Sequence, residues 1–470
     1  MNYAPVSRFV ALAHLGLLLA LLGPAMLALG QGDESFTAYL TGCLAALLVA
    51  ALSIAMAQGT TLREPVRSGL RELLLSLLLF FTILPVTASI PFVVLGVTLE
   101  EGWFEAVSAL TTTGGWLSEP LARASDAGML YRSSLQWLGG LVSLATAAAV
   151  FVRPEFLGIA PLVPPFSRGT YDSYLRAFDR ATWTFLPIYA SLTGAGAVLL
   201  IFCGVPMIEA VSMALSLIAT GGFVPIPGGP EVYGSSSMLV MCILMSLGAV
   251  NFVVLASFLL GRASRVRAGD DDETATYILL IPFIAIIFWI SVGAGDVDRL
   301  LAQSFNAISV LSTNGMTVGE TPSLTPVLVT AIIGGAAVST AGGIKLLRWL
   351  VTMRRTGEEL WRLAHPGAVA RSEGTANELG IWIHTLAFTL LVGLLVLVVA
   401  LYGHPLEVCA AAATAVIANA GPLLAMAPGT TADYALFDPT LRVMLGIGMI
   451  AGRLELVIVL VMLNRRFWLG

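Results

Sequence analysis

Phe104-Glu105-Ala106-Val107-Ser108, running on to Thr111-Thr112-Thr113-Gly114, is written four times in this chain with small changes. The other copies are Ile208-Glu209-Ala210-Val211-Ser212 with Ile218-Ala219-Thr220-Gly221, Phe305-Asn306-Ala307-Ile308-Ser309 with Ser312-Thr313-Asn314-Gly315, and Leu406-Glu407-Val408-Cys409-Ala410 with Ile417-Ala418-Asn419-Ala420-Gly421. Positions 105, 209, 306 and 407 mark the copies, at intervals of 104, 97 and 101 residues. A membrane chain that repeats one unit four times can surround a single axis, and an axis is where a pore runs.

The rest of the composition puts these copies in a membrane. The 470 residues are 57% hydrophobic and 11% charged, against about 25% charged in a soluble domain. The apolar residues come in blocks, and a crossing helix needs ~20 of them. Blocks at 8–29, 36–57, 69–95, 128–151, 182–204, 235–262, 275–294, 326–353, 379–402 and 436–463 predict about ten transmembrane helices in an all-α protein. The ~10-residue alternating segments of a membrane β-barrel are absent, and Phe9 to Leu29 carries no cleavage pattern, so it is kept as a helix. The four cysteines lack CxxC spacing and the four histidines are scattered, so no metal centre is expected. There is no HExxH, GxSxG, P-loop or strand-associated GxGxxG, which argues against an enzyme and against nucleotide binding in this chain. No nucleic-acid partner is indicated.

Four apolar stretches, at 102–112, 206–219, 301–312 and 405–418, are too short to cross and fit re-entrant half-helices. Each copy then reads span, half-helix, extended loop, span, after an initial two-helix pair. The expected boundaries are 1–62 for the pair and 63–160, 161–268, 269–360 and 361–470 for the four repeats. Arginine placement supports the count. Arg63, Arg67, Arg71, Arg153, Arg168, Arg176, Arg180, Arg262, Arg265, Arg267, Lys345, Arg348, Arg354, Arg355, Arg362, Arg371, Arg465 and Arg466 fall on one face. Only Arg123, Arg132, Arg299 and Arg442 fall on the other. The positive-inside rule puts both termini in the cytoplasm and all four glycine loops outside. Two spans per repeat make the repeats parallel, related by an axis along the membrane normal.

A half-helix entering from outside directs the negative end of its dipole at the membrane centre, so four of them favour a cation there. Glu105, Glu209 and Glu407 are expected to cap the outer ends. The loops that follow must aim carbonyls at the ion through unusual backbone angles, which glycine permits. Gly114, Gly221, Gly315 and Gly421 are therefore the expected filter glycines, able to replace the hydration shell of a dehydrated monovalent cation. The span at 326–353 is interrupted by Gly334-Gly335 and Ser339-Thr340-Ala341-Gly342-Gly343. Interior glycines cost roughly 1 kcal/mol each relative to alanine, so this helix should break. Arg453 lies well inside a predicted span and must face protein or water. A pair with Glu455 is one reading; closure of the pore is the other. Lys345 sits nearer the inner surface, where snorkelling explains it as well as gating does.

At Thr111–Gly114, Ala219-Thr220-Gly221-Gly222-Phe223, Asn419-Ala420-Gly421-Pro422, Leu135-Gln136-Trp137-Leu138-Gly139-Gly140, Gly334–Lys345 and Gly452-Arg453-Leu454-Glu455, the chain resembles the Trk/Ktr/HKT superfamily of potassium transporters. The initial helix pair resembles its bacterial TrkH branch. The resemblance implies a potassium filter formed by Thr112, Thr113, Gly114, Ala219, Thr220, Gly221, Thr313, Asn314, Gly315, Asn419, Ala420 and Gly421. It implies a gate formed by Gly334, Gly335, Ser339, Thr340, Ala341, Gly342, Gly343, Lys345 and Arg453. It also implies a homodimer in the bacterial inner membrane, docked on a cytosolic nucleotide-binding TrkA-type ring, with K+ as cargo and no cofactor in this chain. Glycine rather than serine at position 114 goes with potassium over sodium in that superfamily. Two departures stand out: Asn314 and Met316 in the third filter, and Pro422-Leu423 in the fourth. The competing reading is a K+ symporter coupled to H+ or Na+, which needs a titratable or sodium site on the path; no intramembrane acidic pair obviously supplies one.

Overall fold

The computed structural model describes residues 3–58, 69–117, 125–151, 174–223, 229–261, 272–365, 378–431, 433–454, 456–465 and 467. Arg63, Arg67, Arg123, Arg153, Arg168, Arg262, Arg265, Arg267, Arg371, Glu455 and Arg466 lie outside the described residues. Long apolar blocks fold as helices because in hydrocarbon every backbone group must be satisfied within its own segment. The initial pair is α1 (Tyr3–Gln31) and α2 (Phe36–Gln58), packed along each other. Next come α3 (Leu70–Ala88), α4 (Ile90–Val94), the short α5 (Leu99–Leu110) and α6 (Asp126–Phe151). They are followed by α7 (Tyr174–Phe202), the short α8 (Met207–Ile218), α9 (Gly234–Ala249) and α10 (Phe252–Leu259). The third group is α11 (Asp272–Ser291), the short α12 (Val297–Leu311), α13 (Leu324–Ile333) and α14 (Leu346–Ala364). The last is α15 (Glu378–Leu401), the short α16 (Leu406–Ile417), α17 (Pro439–Arg453) and α18 (Leu456–Leu463).

Eight helices among the described residues are long and apolar enough to cross a membrane. The two remaining expected crossings are divided. That at 326–353 is α13 and α14, separated by the non-helical run 334–345, as the glycine cluster predicts. That at 436–463 is α17, which ends at Arg453 with Leu454 as its cap, and α18, which starts at Leu456. Leu19, Phe202 and Leu401 stand on an exterior of exposed large apolar side chains, a surface suited to lipid.

One expected continuous span is also interrupted. The stretch 235–262 stops at Ala249 and restarts at Phe252. Asn251 ends it: its side chain accepts the Val253 amide at 3.0 Å, an N-cap that restarts the helix. The freed backbone finds partners in the other broken span. Ala336 N donates to Ala249 O at 2.8 Å, Thr340 N to Gly248 O at 3.0 Å, and Phe252 N to Val338 O at 2.7 Å. Two broken helices thus satisfy each other at membrane depth.

Candidate functional site

Each short helix ends in the same way. After the cap residues Thr111, Ala219, Ser312 and Ala418 comes one left-handed residue: Thr112 (φ 54°), Thr220 (54°), Thr313 (61°) and Asn419 (52°). The next amide turns back onto the helix: Thr113 N to Ser108 O at 2.8 Å, Gly221 N to Ser216 O at 2.9 Å, Asn314 N to Ser309 O at 2.9 Å, Ala420 N to Ala415 O at 2.8 Å. This is a Schellman ending, whose left-handed place usually belongs to glycine. Threonine there stores about 1–3 kcal/mol of strain, and three of the four repeats accept it.

Counting from these endings corrects the register of the second repeat. The residue three beyond each cap is Gly114, Gly222, Gly315 and Gly421, so Gly222 rather than Gly221 is the equivalent of Gly114. Gly221 is equivalent to Thr113, Asn314 and Ala420.

These glycines interlock the loops in a ring. A methyl group on Gly114 would overlap the Gly221 carbonyl oxygen of the second repeat, and one on Gly222 would overlap the Asn314 oxygen of the third. On Gly315 it would meet Ala420 O of the fourth at 3.3 Å, and on Gly421 it would meet Thr113 O of the first at 2.7 Å. At three of the joints a neighbouring carbonyl lies where the glycine has no side chain, and at Gly315 the neighbouring carbonyl abuts that place. Gly421 N also donates to Thr113 O at 2.6 Å.

Side chains brace the ring from behind. Gln136 donates to Gly221 O at 3.0 Å. The Asn314 side chain accepts from Gly222 N at 3.2 Å and donates to Ser312 Oγ at 2.9 Å. Asn419 donates to Thr113 Oγ1 at 3.0 Å and to Met449 O at 3.0 Å. The Tyr434 hydroxyl donates to Gly421 O at 3.1 Å. Thr112 Oγ1 and Asn419 Oδ1 are buried acceptors with no protein partner.

Glu105 is not a helix-end cap. It lies in the middle of α5, buried, ion-paired with buried Arg132, and accepts the Leu117 amide at 2.8 Å. The capping box at that end is Thr98 with Glu101. Glu209 and Glu407 do occupy first turns. Asn306 fills the place of Glu105 in the third repeat and accepts from Val318 N at 2.8 Å, the same twelve residues on. Arg132→Ala leaves the Glu105 carboxylate buried and unpaired, a loss of about 3–5 kcal/mol. We expect a clear fall in thermal unfolding temperature in detergent; an unchanged midpoint would show that the pair does not hold this loop.

The 334–345 run lies against the inner ends of the short helices. The Thr340 hydroxyl lies 2.9 Å from both Ile218 O and Gly248 O and shares its one proton between them, and Gly342 N donates to Thr313 Oγ1 at 2.8 Å. Gly342 needs its missing side chain because a Cβ would overlap Ala418 O. Arg453 donates to Thr340 O at 2.9 Å and to Ser143 Oγ of α6 at 2.6 Å. The run therefore meets the second, third and fourth copies directly, and Arg453 links it to Ser143 of the first. Lys345 does not snorkel: it is buried, left-handed (φ 83°), and its ammonium donates to the Ala341 carbonyl. Ser143, Asn419, Lys345 and Arg453 line a cavity of about 40 Å³ beside the run, room for one water-sized occupant.

The expected filter and loop residues are thus brought together. Sequence reasoning did not assign Gly222, Gln136, Asn251 or Ser143 to the site. For Gly222 the signal was the adjacent glycine pair, and for Gln136 the Leu135–Gly140 motif.

Residues 80–466 match the family described as TrkH, a cation transport protein. The chain is 27% identical to the Trk system potassium uptake protein TrkI of Halomonas elongata over 484 residues, covering 99% of this chain and 97% of that one. It is 27% identical over 495 residues to the Trk system potassium uptake protein TrkH of Salmonella typhimurium, covering 100% of both. Its fold is similar to the crystal structure of the potassium transporter TrkH from Vibrio parahaemolyticus, with a TM-score of 0.85, 25% identity and 100% of both chains covered.

Proposed function

The chain belongs to the TrkH family of cation transport proteins, and from that membership we propose that it takes up potassium as the channel-like pore-forming subunit of a Trk-type system. The observation that carries the reading is the closed interlock of Gly114, Gly222, Gly315 and Gly421 with the carbonyls of the neighbouring repeats. Four parallel repeats, with the boundaries expected from the sequence, then surround one pore. Backbone carbonyls of the ring strip water from K+. The C-terminal poles of α5, α8, α12 and α16 favour the cation just inside. Thr112 Oγ1 and Asn419 Oδ1, unpartnered within the protein, supply further oxygen at that level.

Gly334 to Lys345 forms the gate beneath this filter. Closed, it presents Lys345 and Arg453 to one small cavity, and two cationic groups there oppose a permeating cation. The relatives named as Trk potassium uptake proteins support the cargo. We also infer an inner-membrane location with both termini cytoplasmic, a homodimer, and a TrkA-type cytosolic ring as partner; these rest on arginine asymmetry and family likeness.

The test is rescue of a potassium-uptake-deficient bacterium at low external K+, followed by flux into proteoliposomes. Rescue is expected, with flux following the K+ gradient alone. Failure to rescue with the protein in the membrane overturns the reading. Flux that requires a proton or sodium gradient replaces the channel with the symporter.

A further inference from the structure

We propose that Glu273 is the positioning residue that seats the intramembrane loop, its carboxylate tying both ends of 334–345 to the break between α9 and α10. This deepens the gating reading above and rests on it.

Glu273 is the second residue of α11, where an acidic side chain ordinarily faces water and complements its own helix dipole. Its neighbour Asp272 does stay exposed, paired with Arg354. Glu273 instead is 3% exposed, and its oxygens take donors from other elements. One oxygen accepts Ala337 N at 2.6 Å, near the start of the loop, and Leu347 N at 3.1 Å, just after its end. The other accepts Asn251 Nδ2 at 3.1 Å. Asn251 is the residue that breaks the α9–α10 span, so a single carboxylate joins both interruptions. The Lys345 ammonium, also in the loop, attracts it.

The geometry is that of a neck and a tip. Between Ala337 and Leu347 the chain runs out to Thr340 and Gly342 under the filter and returns. The tip is held by the bonds to Ile218 O, Gly248 O, Thr313 and Arg453. The neck is held by Glu273. Charge-assisted bonds at the neck fix where the tip comes to rest, so loss of the carboxylate lets the loop leave its seat without altering any residue that faces the ion.

The test uses the full-length protein in proteoliposomes. Glu273→Gln sets the new amide NH2 against the Asn251 NH2, donor against donor, and removes the charge from the neck. Basal K+ flux is expected to rise about tenfold, the scale of one lost charge-assisted hydrogen bond. Asn251→Asp combined with Glu273→Gln restores every donor–acceptor pair. The amide oxygen introduced at position 273 accepts both backbone N–H groups, and its NH2 donates to the carboxylate introduced at position 251, which still caps α10. Flux should return to the parental level. If Glu273→Gln fails to express, the double variant carries the test, and a raised flux in it overturns the proposal. So does unchanged flux in a well-expressed Glu273→Gln, or a rise that the double variant does not reverse. Arg453→Ala separates the two levels. If it raises flux and Glu273→Gln does not, only the positioning role falls. If neither does, the gating reading falls with it.

Discussion

Gly222→Ala is expected to reduce potassium uptake to background and to remove discrimination against sodium in whatever flux remains. Two independent costs meet at this residue. Its φ of +64° is a conformation that side chains rarely adopt. Its Cβ would also overlap the Asn314 carbonyl oxygen, a backbone atom that no rotamer change can move. That carbonyl cannot retreat cheaply, because Asn314 N is tied to Ser309 O and its side chain accepts the Gly222 amide itself. The ring must open at that joint, and a filter that replaces hydration with carbonyls fails when one set is displaced. Gly204→Ala is the control: it has φ +91° but open space around the Cβ position. It should cost of order 1 kcal/mol of stability and leave the K+/Na+ permeability ratio unchanged. Growth at low potassium and reversal potentials under K+/Na+ gradients read out both. Wild-type selectivity in Gly222→Ala would overturn the interlocked-ring filter.

Arg453→Ala is expected to raise basal flux ten- to a hundredfold. The guanidinium holds Thr340 O and Ser143 Oγ at once, joining loop, first repeat and fourth repeat. A hydrogen bond to a charged group contributes about 1.5–3 kcal/mol, and each ~1.4 kcal/mol shifts a closed–open equilibrium tenfold. Removing the charge also lowers the electrostatic barrier in the cavity. Arg453→Lys tells the two effects apart: it keeps the charge and loses the forked geometry, so an intermediate flux assigns a share to each. Unchanged flux in a normally expressed Arg453→Ala removes this residue from the gate.

The helices are legible in the sequence because hydrocarbon enforces them, and the expected half-helices match α5, α8, α12 and α16 closely. The 334–345 break is legible because glycine and serine accumulate there. The break at 250–251 is not, since Val250-Asn251 within an apolar run looks like a single tolerated polar residue. Only the tertiary pairing with the other broken span makes the interruption tolerable there. Glu105 reads as a cap because its sequence context matches that of Glu209 and Glu407; counted from the helix ends it stands six residues before its cap residue and they stand ten and eleven before theirs, so only Asn306 is its structural equivalent, and Arg132, distant in sequence, decides its role. The second-repeat register is hidden because two consecutive glycines do not reveal which one carries the left-handed angle. Glu273 is invisible for a related reason: an acid at the start of a span is unremarkable until its three donors are located in space.

The interlock also constrains how such a protein is made. Its last joint, Gly421 and Asn419 against Thr113, links residues 306 positions apart in the case of the Asn419–Thr113 bond. Until the fourth repeat leaves the ribosome, the first repeat's carbonyl has no neighbour and the third repeat's glycine faces nothing. Domains emerging at ~5–20 residues per second would leave that ring open-sided for many seconds. On the proposed reading, a chain truncated before Asn419 would hold only three of the four glycine joints, so selective conduction would be an all-or-none property of complete synthesis.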